Sequence, residues 1–97
     1  MPSVHYHLVE RLTAANVASA ATTVIKQGQG FLGQIVINGG TMGNITVYDN
    51  TEASGTIIAT ITGADLKTGM VFPYGCEFTV GLTVVTAGNT NITICYV

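Results

Sequence analysis

Charged side chains are scarce in this 97-residue sequence, where three basic and five acidic residues make up 8% of the chain. Globular domains usually carry about 25%. The basic residues Arg11, Lys26 and Lys67 do not cluster, and the net charge is −2. Because nucleic-acid binding depends on Lys and Arg that neutralise phosphates, we expect no nucleic-acid partner.

Long hydrophobic runs are missing as well. No stretch reaches the roughly 18 apolar residues that a membrane-spanning helix needs, so we expect no membrane partner. The segment Met1–His5 has no basic region followed by an apolar run, so no secretory leader is expected either.

Uncharged polar residues replace the missing charges, and Thr alone occurs fifteen times. Thr is β-branched and suits the solvent face of a strand. Such a surface has little net repulsion to keep monomers apart. It is typical of an exported protein with a neutral surface or of a subunit whose neighbours cover its faces. We favour the second interpretation.

Cysteine and histidine are too few for a convincing metal site. Cys76 and Cys95 lie in strand-like runs, where a free Cys usually packs as a small apolar residue, although a disulfide between them stays open. His5 and His7 would lie on one face of a strand, but no third ligand is near in sequence. We expect no metal and no cofactor.

One motif matches a dinucleotide-binding pattern by its letters alone. The run 28–33, Gly-Gln-Gly-Phe-Leu-Gly, fits G-x-G-x-x-G, but Gln34–Ile37 continues as a strand instead of opening a helix. A phosphate site needs that helix N-terminus, so we interpret the run as a turn entering a strand. No G-x-S-x-G elbow is present, and the five acids lie mostly in turns. We therefore expect no catalytic residues and no enzyme.

Short β-branched runs separated by Gly, Asn, Asp and Ser predict a chain of antiparallel strands. Asn38–Gly40 is interpreted as a hairpin turn, 49–55 as a polar turn, and 87–90 as a hairpin loop between the last two strands. Pro73, which has no N–H for a ladder, marks an edge or a strand end. The predicted strands are 4–12, 16–27, 31–37, 44–48, 56–62, 70–72, 76–80, 82–85 and 91–97. The stretch 16–27 is ambiguous, because its alanines are typical of a helix while Thr22–Ile25 favours a strand that ends at Gln27, and we interpret it as a strand after a loop.

These runs predict an all-β fold, an antiparallel β-sandwich of about eight strands of jelly-roll or Greek-key type. The length allows a single domain overall. Within it, residues 1–27 form a poorly patterned N-terminal arm or strand region, and residues 28–97 form the sandwich body.

The runs Gly30–Asn38, Ile45–Thr51 and Ala53–Ile61, together with the later Gly81–Val85, resemble small structural proteins of tailed bacteriophages. The resemblance covers about two thirds of the chain and carries no catalytic residue. It implies a capsid decoration (cement) protein, located on the virion after synthesis in the host cytoplasm. The implied partners are the phage major capsid protein and copies of itself, as a trimer or alternatively a dimer.

The resemblance further implies that the protein binds the outer capsid surface and stabilises contacts between major capsid proteins, with residues 1–27 as the arm that reaches onto the shell. A second interpretation is a β-sandwich carbohydrate- or host-binding adhesin of a tail or head fibre. That module would show an exposed aromatic cluster or an acidic metal pocket, and the sequence has no Trp and four Tyr.

Overall fold

The computed structural model describes residues 12–97, which form eight β-strands and one short 3₁₀ turn, Gly63–Asp65. The strands are β1 (Thr13–Val17), β2 (Ala21–Gln27), β3 (Gly30–Gly40), β4 (Ile45–Asp49), β5 (Thr56–Ile61), β6 (Val71–Phe78), β7 (Gly81–Thr86) and β8 (Thr90–Tyr96).

The strands form two four-stranded antiparallel sheets that pack against each other as a β-sandwich, which confirms the predicted fold class. One sheet has the order β1-β8-β3-β6 and the other the order β2-β7-β4-β5. Only β4 and β5 are neighbours both in sequence and in a sheet. Every other connection crosses from one sheet to the other, and this strand order is that of a jelly roll.

The core lies between the sheets and is built from alternate residues of each strand, as a half-buried sheet requires. In β8, for example, Ile92 and Ile94 are fully buried while Thr93 and Cys95 face the other way. The buried apolar side chains are Val17, Leu32, Ile35, Ile37, Ile45, Val47, Ala59, Ile61, Leu66, Phe78, Leu82, Val84, Ile92 and Ile94.

Two predicted hairpins are wrong, and the jelly-roll connectivity is the reason. Asn38–Gly40 is the end of β3, whose partners are β6 and β8, while β4 lies in the opposite sheet. The 87–90 loop likewise passes between sheets, because β7 pairs with β2 and β4 and not with β8. Local turn chemistry marks where the chain bends but not which sheet it enters. The 49–55 turn does join paired strands, β4 and β5.

Two strand boundaries also differ from the prediction. The predicted strand 16–27 is divided by a bend into the end of β1 and all of β2, one in each sheet. The predicted strands 70–72 and 76–80 are one continuous strand, β6, with Pro73 inside it. Pro73 is tolerated there because β6 is an edge strand. Of the two predicted positions for Pro73, the sheet edge is therefore confirmed and the strand end is wrong. Within the predicted region 1–27, residues 13–27 supply β1 and β2, and the predicted strand 4–12 lies almost wholly outside the described residues.

Candidate functional surfaces

The outer face of the β2-β7-β4-β5 sheet carries β-branched and aromatic side chains but no charge at its outward positions. We call it the threonine face. The cross-strand registers place its residues in two rows, the first being Thr22, Val85, Thr46 and Thr60, and the second Val24, Thr83, Tyr48 and Ile57. Thr83 is fully buried because the β4–β5 turn covers it, and its hydroxyl donates to the Asn50 carbonyl at 2.7 Å.

The outer face of the β1-β8-β3-β6 sheet is also nearly uncharged, and we call it the asparagine face. The Oδ1 atom of Asn91 accepts from the Nδ2 groups of Asn16 at 2.7 Å and Asn38 at 3.2 Å. Asn38 also donates to Thr93 Oγ1 at 2.8 Å. This network links β1, β8 and β3 across the surface. Glu77 is the only charged residue among the strand positions of this sheet.

Large apolar side chains are exposed on both faces. Val24 is 42% exposed and Ile57 52% exposed, at opposite edges of the threonine face, and Val71 is 48% exposed at the edge of the asparagine face. An apolar side chain on an uncharged sheet gains by being covered, because burial removes apolar area without desolvating a charge. Both faces are therefore chemically suited to contact through shape and apolar burial.

A shallow cavity of about 290 Å³ lies at the end of the sandwich where β2 meets β3 and β6 meets β7. Phe31, 38% exposed, forms one side, and Lys26 and Glu77 bring opposite charges to it. The remaining lining residues are Gln29, Gly30, Phe78, Thr79 and Val97. Glu77 is the only side-chain carboxylate among these lining residues.

Asp49, at the end of β4, has a structural role. Its carboxylate accepts backbone N–H bonds from Thr79 at 3.0 Å, Val80 at 2.8 Å and Gly81 at 3.3 Å, and a hydroxyl bond from Thr79. These bonds, led by that from the Thr79 backbone, lower the pKa of Asp49 below its ordinary value. Asp49 therefore holds the β6–β7 connection against the end of β4.

The two cysteines are free, and the fold keeps them apart. Cys76 on β6 packs against the core, whereas Cys95 on β8 faces outward beside Gln34. β3 lies between the two strands, so their backbones are about 10 Å apart, beyond the reach of a disulfide. The open possibility of a disulfide between them is thereby excluded. Burial raises the pKa of the Cys76 thiol, which makes it a poor nucleophile.

The remaining candidates from the sequence are the two histidines, other metal ligands, the glycine run and a membrane span. His5 and His7 lie outside the described residues. Between residues 12 and 97, no three His, Cys, Asp or Glu side chains come together as metal ligands. The 28–33 glycine run is a turn at Gly28 followed by β3, as interpreted from the sequence. The same part of the chain contains no helix whose length and apolarity would let it span a bilayer.

Two groups of structural residues were not identified from the sequence. The asparagine network joins residues from three strands that are up to 76 positions apart. At the opposite end of the sandwich from Asp49, Thr90 is fully buried, and its hydroxyl accepts the Gly43 N–H at 2.6 Å and donates to the Thr41 carbonyl at 2.8 Å. Neither group has a local signal, because its members meet only once the strand order is set.

No protein-family model matches the chain, and no curated protein matches it.

Proposed function

We propose that this protein is a structural virion protein that binds the outer surface of a phage capsid and stabilises contacts between major capsid proteins. The observation that carries the proposal is the chemistry of the two sheet faces. Both are broad and nearly free of charge, and both expose apolar side chains where a solvent-facing sheet usually carries charges. The sequence resemblance to phage structural proteins supports the same function.

Neutral faces suit a protein that acts by covering other proteins. Contact through such a face depends on shape, apolar burial and hydrogen bonds, and it is less sensitive to salt than contact through ion pairs. A homo-oligomer would present the same face several times to a repeating shell. Multivalent contact then raises the overall affinity without any new kind of bond.

The jelly roll agrees with this function but does not carry the proposal. The architecture occurs in viral capsid proteins, in lectins and in unrelated enzymes, so fold alone does not select among them.

The direct test is co-sedimentation of the purified protein with undecorated capsids of its phage. We expect saturable binding that survives moderate salt. Thr46→Glu at the centre of the threonine face and Val36→Glu at the centre of the asparagine face should separate the two surfaces. The variant on the face that meets the shell should lose binding, and the other serves as its matched control. Failure of the wild-type protein to co-sediment would refute the proposal.

The N-terminal region can be tested in the same assay. Deleting residues 1–11 leaves all eight described strands in place. If the first residues form an arm that reaches onto the capsid, the truncated protein should bind more weakly while its unfolding transition stays unchanged. Unchanged binding would refute the arm and leave the sheet faces as the contact surface.

A carbohydrate- or host-binding module is the second candidate, and the end cavity is the observation in its favour. The exposed ring of Phe31 lies there beside Lys26, Gln29 and Glu77, and an aromatic ring with nearby polar groups is a common way to hold a ligand. A glycan array would test this candidate. Binding that Phe31→Ala abolishes would support it, and an empty array would remove it.

A further inference from the structure

Asn38 differs from every other asparagine of the chain in the residue that follows it. Gly39 follows Asn38, whereas a β-branched Val, Ile or Thr follows each of the other five: Asn16, Asn44, Asn50, Asn89 and Asn91. Asparagine is a thermolabile residue, because the backbone nitrogen of the next residue can attack its side-chain amide. A β-branched side chain hinders that attack, and glycine, which has no side chain, does not.

The fold leaves the Asn38–Gly39 peptide at an irregular and accessible place in β3. The register with β8 shifts between Ile37 and Gly39, so Asn38 has no directly opposite residue there, as in a β-bulge. The register of β3 with β6 ends earlier, at Val36. Asn38 is exposed, and outside its chain neighbours a Cβ at Gly39 would meet only the Thr68 hydroxyl, at 3.7 Å. The peptide therefore has room to rearrange beside solvent.

We propose that Asn38 is a site of spontaneous deamidation in the folded protein, through a succinimide formed with Gly39. The Gly39 nitrogen loses its proton to solvent base and bonds to Cγ of Asn38, and the Cγ–Nδ2 bond breaks to release ammonia. Water then adds to one of the two imide carbonyls and opens the ring. The product is aspartate or isoaspartate at position 38, so water enters, ammonia leaves, and nothing is oxidised or reduced.

The asparagine network holds the amide that must leave. Asn38 Nδ2 donates to Asn91 Oδ1 at 3.2 Å and to Thr93 Oγ1 at 2.8 Å. Both bonds are exposed, so water can replace them when the side chain turns toward Gly39. The network therefore slows the reaction, and weakening it should accelerate the reaction.

Deamidation would place a charge on the asparagine face. The net charge of the chain becomes one unit more negative than −2, because a neutral amide becomes a carboxylate. A carboxylate has no N–H to donate, so its oxygen would face the Asn91 Oδ1 atom, which also accepts from Asn16 at 2.7 Å. Only the Thr93 hydroxyl could still donate to it. This modification goes beyond the proposed function and does not depend on it, since the reaction needs only water.

The test is peptide mapping by mass spectrometry while the folded protein is incubated at neutral and at mildly alkaline pH. We expect the deamidated mass to accumulate at Asn38 at least about tenfold faster than at any other asparagine. The rate should be higher at the alkaline pH, because the attacking nitrogen must lose its proton. An isoaspartate-specific methyltransferase should label the product, and ion exchange should resolve an acidic form that grows at the same rate.

Two variants control the measurement, and circular dichroism checks that each is folded. Asn38→Gln keeps an amide before Gly39 but would have to close a six-membered ring, so the acidic form should no longer accumulate. Thr93→Val removes one bond to the leaving amide while keeping the shape of the side chain, and it should raise the rate about twofold or more. An unchanged rate in Thr93→Val would overturn the role given to the network.

The wild-type protein alone can overturn the proposal. A reaction that occurs only after denaturation in guanidinium would show that the fold protects Asn38. Equal rates at Asn38 and at the other asparagines would show that Gly39 gives no advantage. Aspartate without isoaspartate would show direct hydrolysis of the amide and exclude the succinimide.

Discussion

The two ends of the sandwich are held together by different chemistry. At one end, the partly exposed Asp49 carboxylate gathers the N–H groups of the β6–β7 connection. At the other, the buried Thr90 hydroxyl ties the β3–β4 connection at Thr41 and Gly43 to the start of β8. Both side chains close inter-sheet connections, one with an ionised group and the other with a neutral one.

The difference follows from burial. A hydroxyl can be buried at modest cost when its hydrogen bonds are made, whereas a buried carboxylate without a counter-charge would be expensive. The Thr90 end is therefore closely packed and should be insensitive to pH, whereas the Asp49 end keeps its charge near solvent and should respond to acid. Four substitutions test this comparison, in order of decreasing expected effect.

Gly43→Ala should be the most damaging, because the chain passes another backbone segment closely at this position. A Cβ at Gly43 would lie 1.7 Å from the carbonyl oxygen of Ala87, and backbone has little freedom to yield. We expect a loss of about 3 kcal/mol or more in the free energy of unfolding, measured by urea denaturation at fixed protein concentration. Gly75→Ala is the control, since its Cβ would meet open space and only its positive φ is strained, at about 1–2 kcal/mol. Equal losses of unfolding free energy in Gly43→Ala and Gly75→Ala would contradict the close approach of the Gly43 and Ala87 backbones.

Thr90→Val tests the hydrogen bonds at the same end while keeping the shape of the side chain. The substitution leaves the Gly43 N–H without its acceptor and the Thr41 carbonyl without its donor at a part-buried site. We expect the free energy of unfolding to fall by about 1–3 kcal/mol, and by the same amount at neutral and acid pH. Thr22→Val, at an exposed position on β2, should change the unfolding free energy by less than about 0.5 kcal/mol.

Asp49→Asn tests the charged end. An amide offers one acceptor oxygen where the carboxylate offers two, and it removes the charge that strengthens each bond. We expect the free energy of unfolding to fall by about 1–2 kcal/mol at pH 7. The loss is smaller than for a fully buried charged group because Asp49 is partly exposed. Glu52→Gln, at an exposed position in the adjacent turn, removes a charge without those bonds and should be nearly neutral.

The pH dependence should separate the two ends further. The pKa of Asp49 is lowered in the folded protein, so its contribution to stability is complete above the unfolded pKa, near 3.9, and is lost as the pH falls through the lower folded value. The stability difference between wild type and Asp49→Asn should therefore shrink as the pH falls below the unfolded pKa and through the lower folded pKa. The difference between wild type and Thr90→Val should stay constant over that range. A constant Asp49 difference would show that its charge contributes nothing.

The sequence predicted the strands and the class of sandwich, but it missed which side chains meet across the fold. The alternation at Ile92 and Ile94 is a local pattern that specifies a strand and its inner face. Turn residues such as those at 49–55 specify the one hairpin that joins strands adjacent in sequence, β4 and β5. The partners of Asn91 and Thr90 are separated from them by up to 75 positions, and no short-range rule brings them together. The composition predicted an uncharged surface. It did not predict which residues form each face, because that depends on the register of each strand.

Asn50→Ala should have the smallest effect of the four substitutions. Asn50 lies at the same end of the sandwich as Asp49, but its side-chain bonds stay within one turn. The Asn50 Nδ2 donates to the Ser54 carbonyl at 2.9 Å, and its Oδ1 accepts the Thr51 N–H at 2.8 Å. Solvent reaches this turn and can replace both bonds, so we expect a loss of about 0.5–1 kcal/mol without any change in pH dependence. Its backbone carbonyl, which accepts from Thr83, is kept by the substitution. A loss as large as that of Asp49→Asn would show that the 50–54 turn, and not the carboxylate, holds this end together.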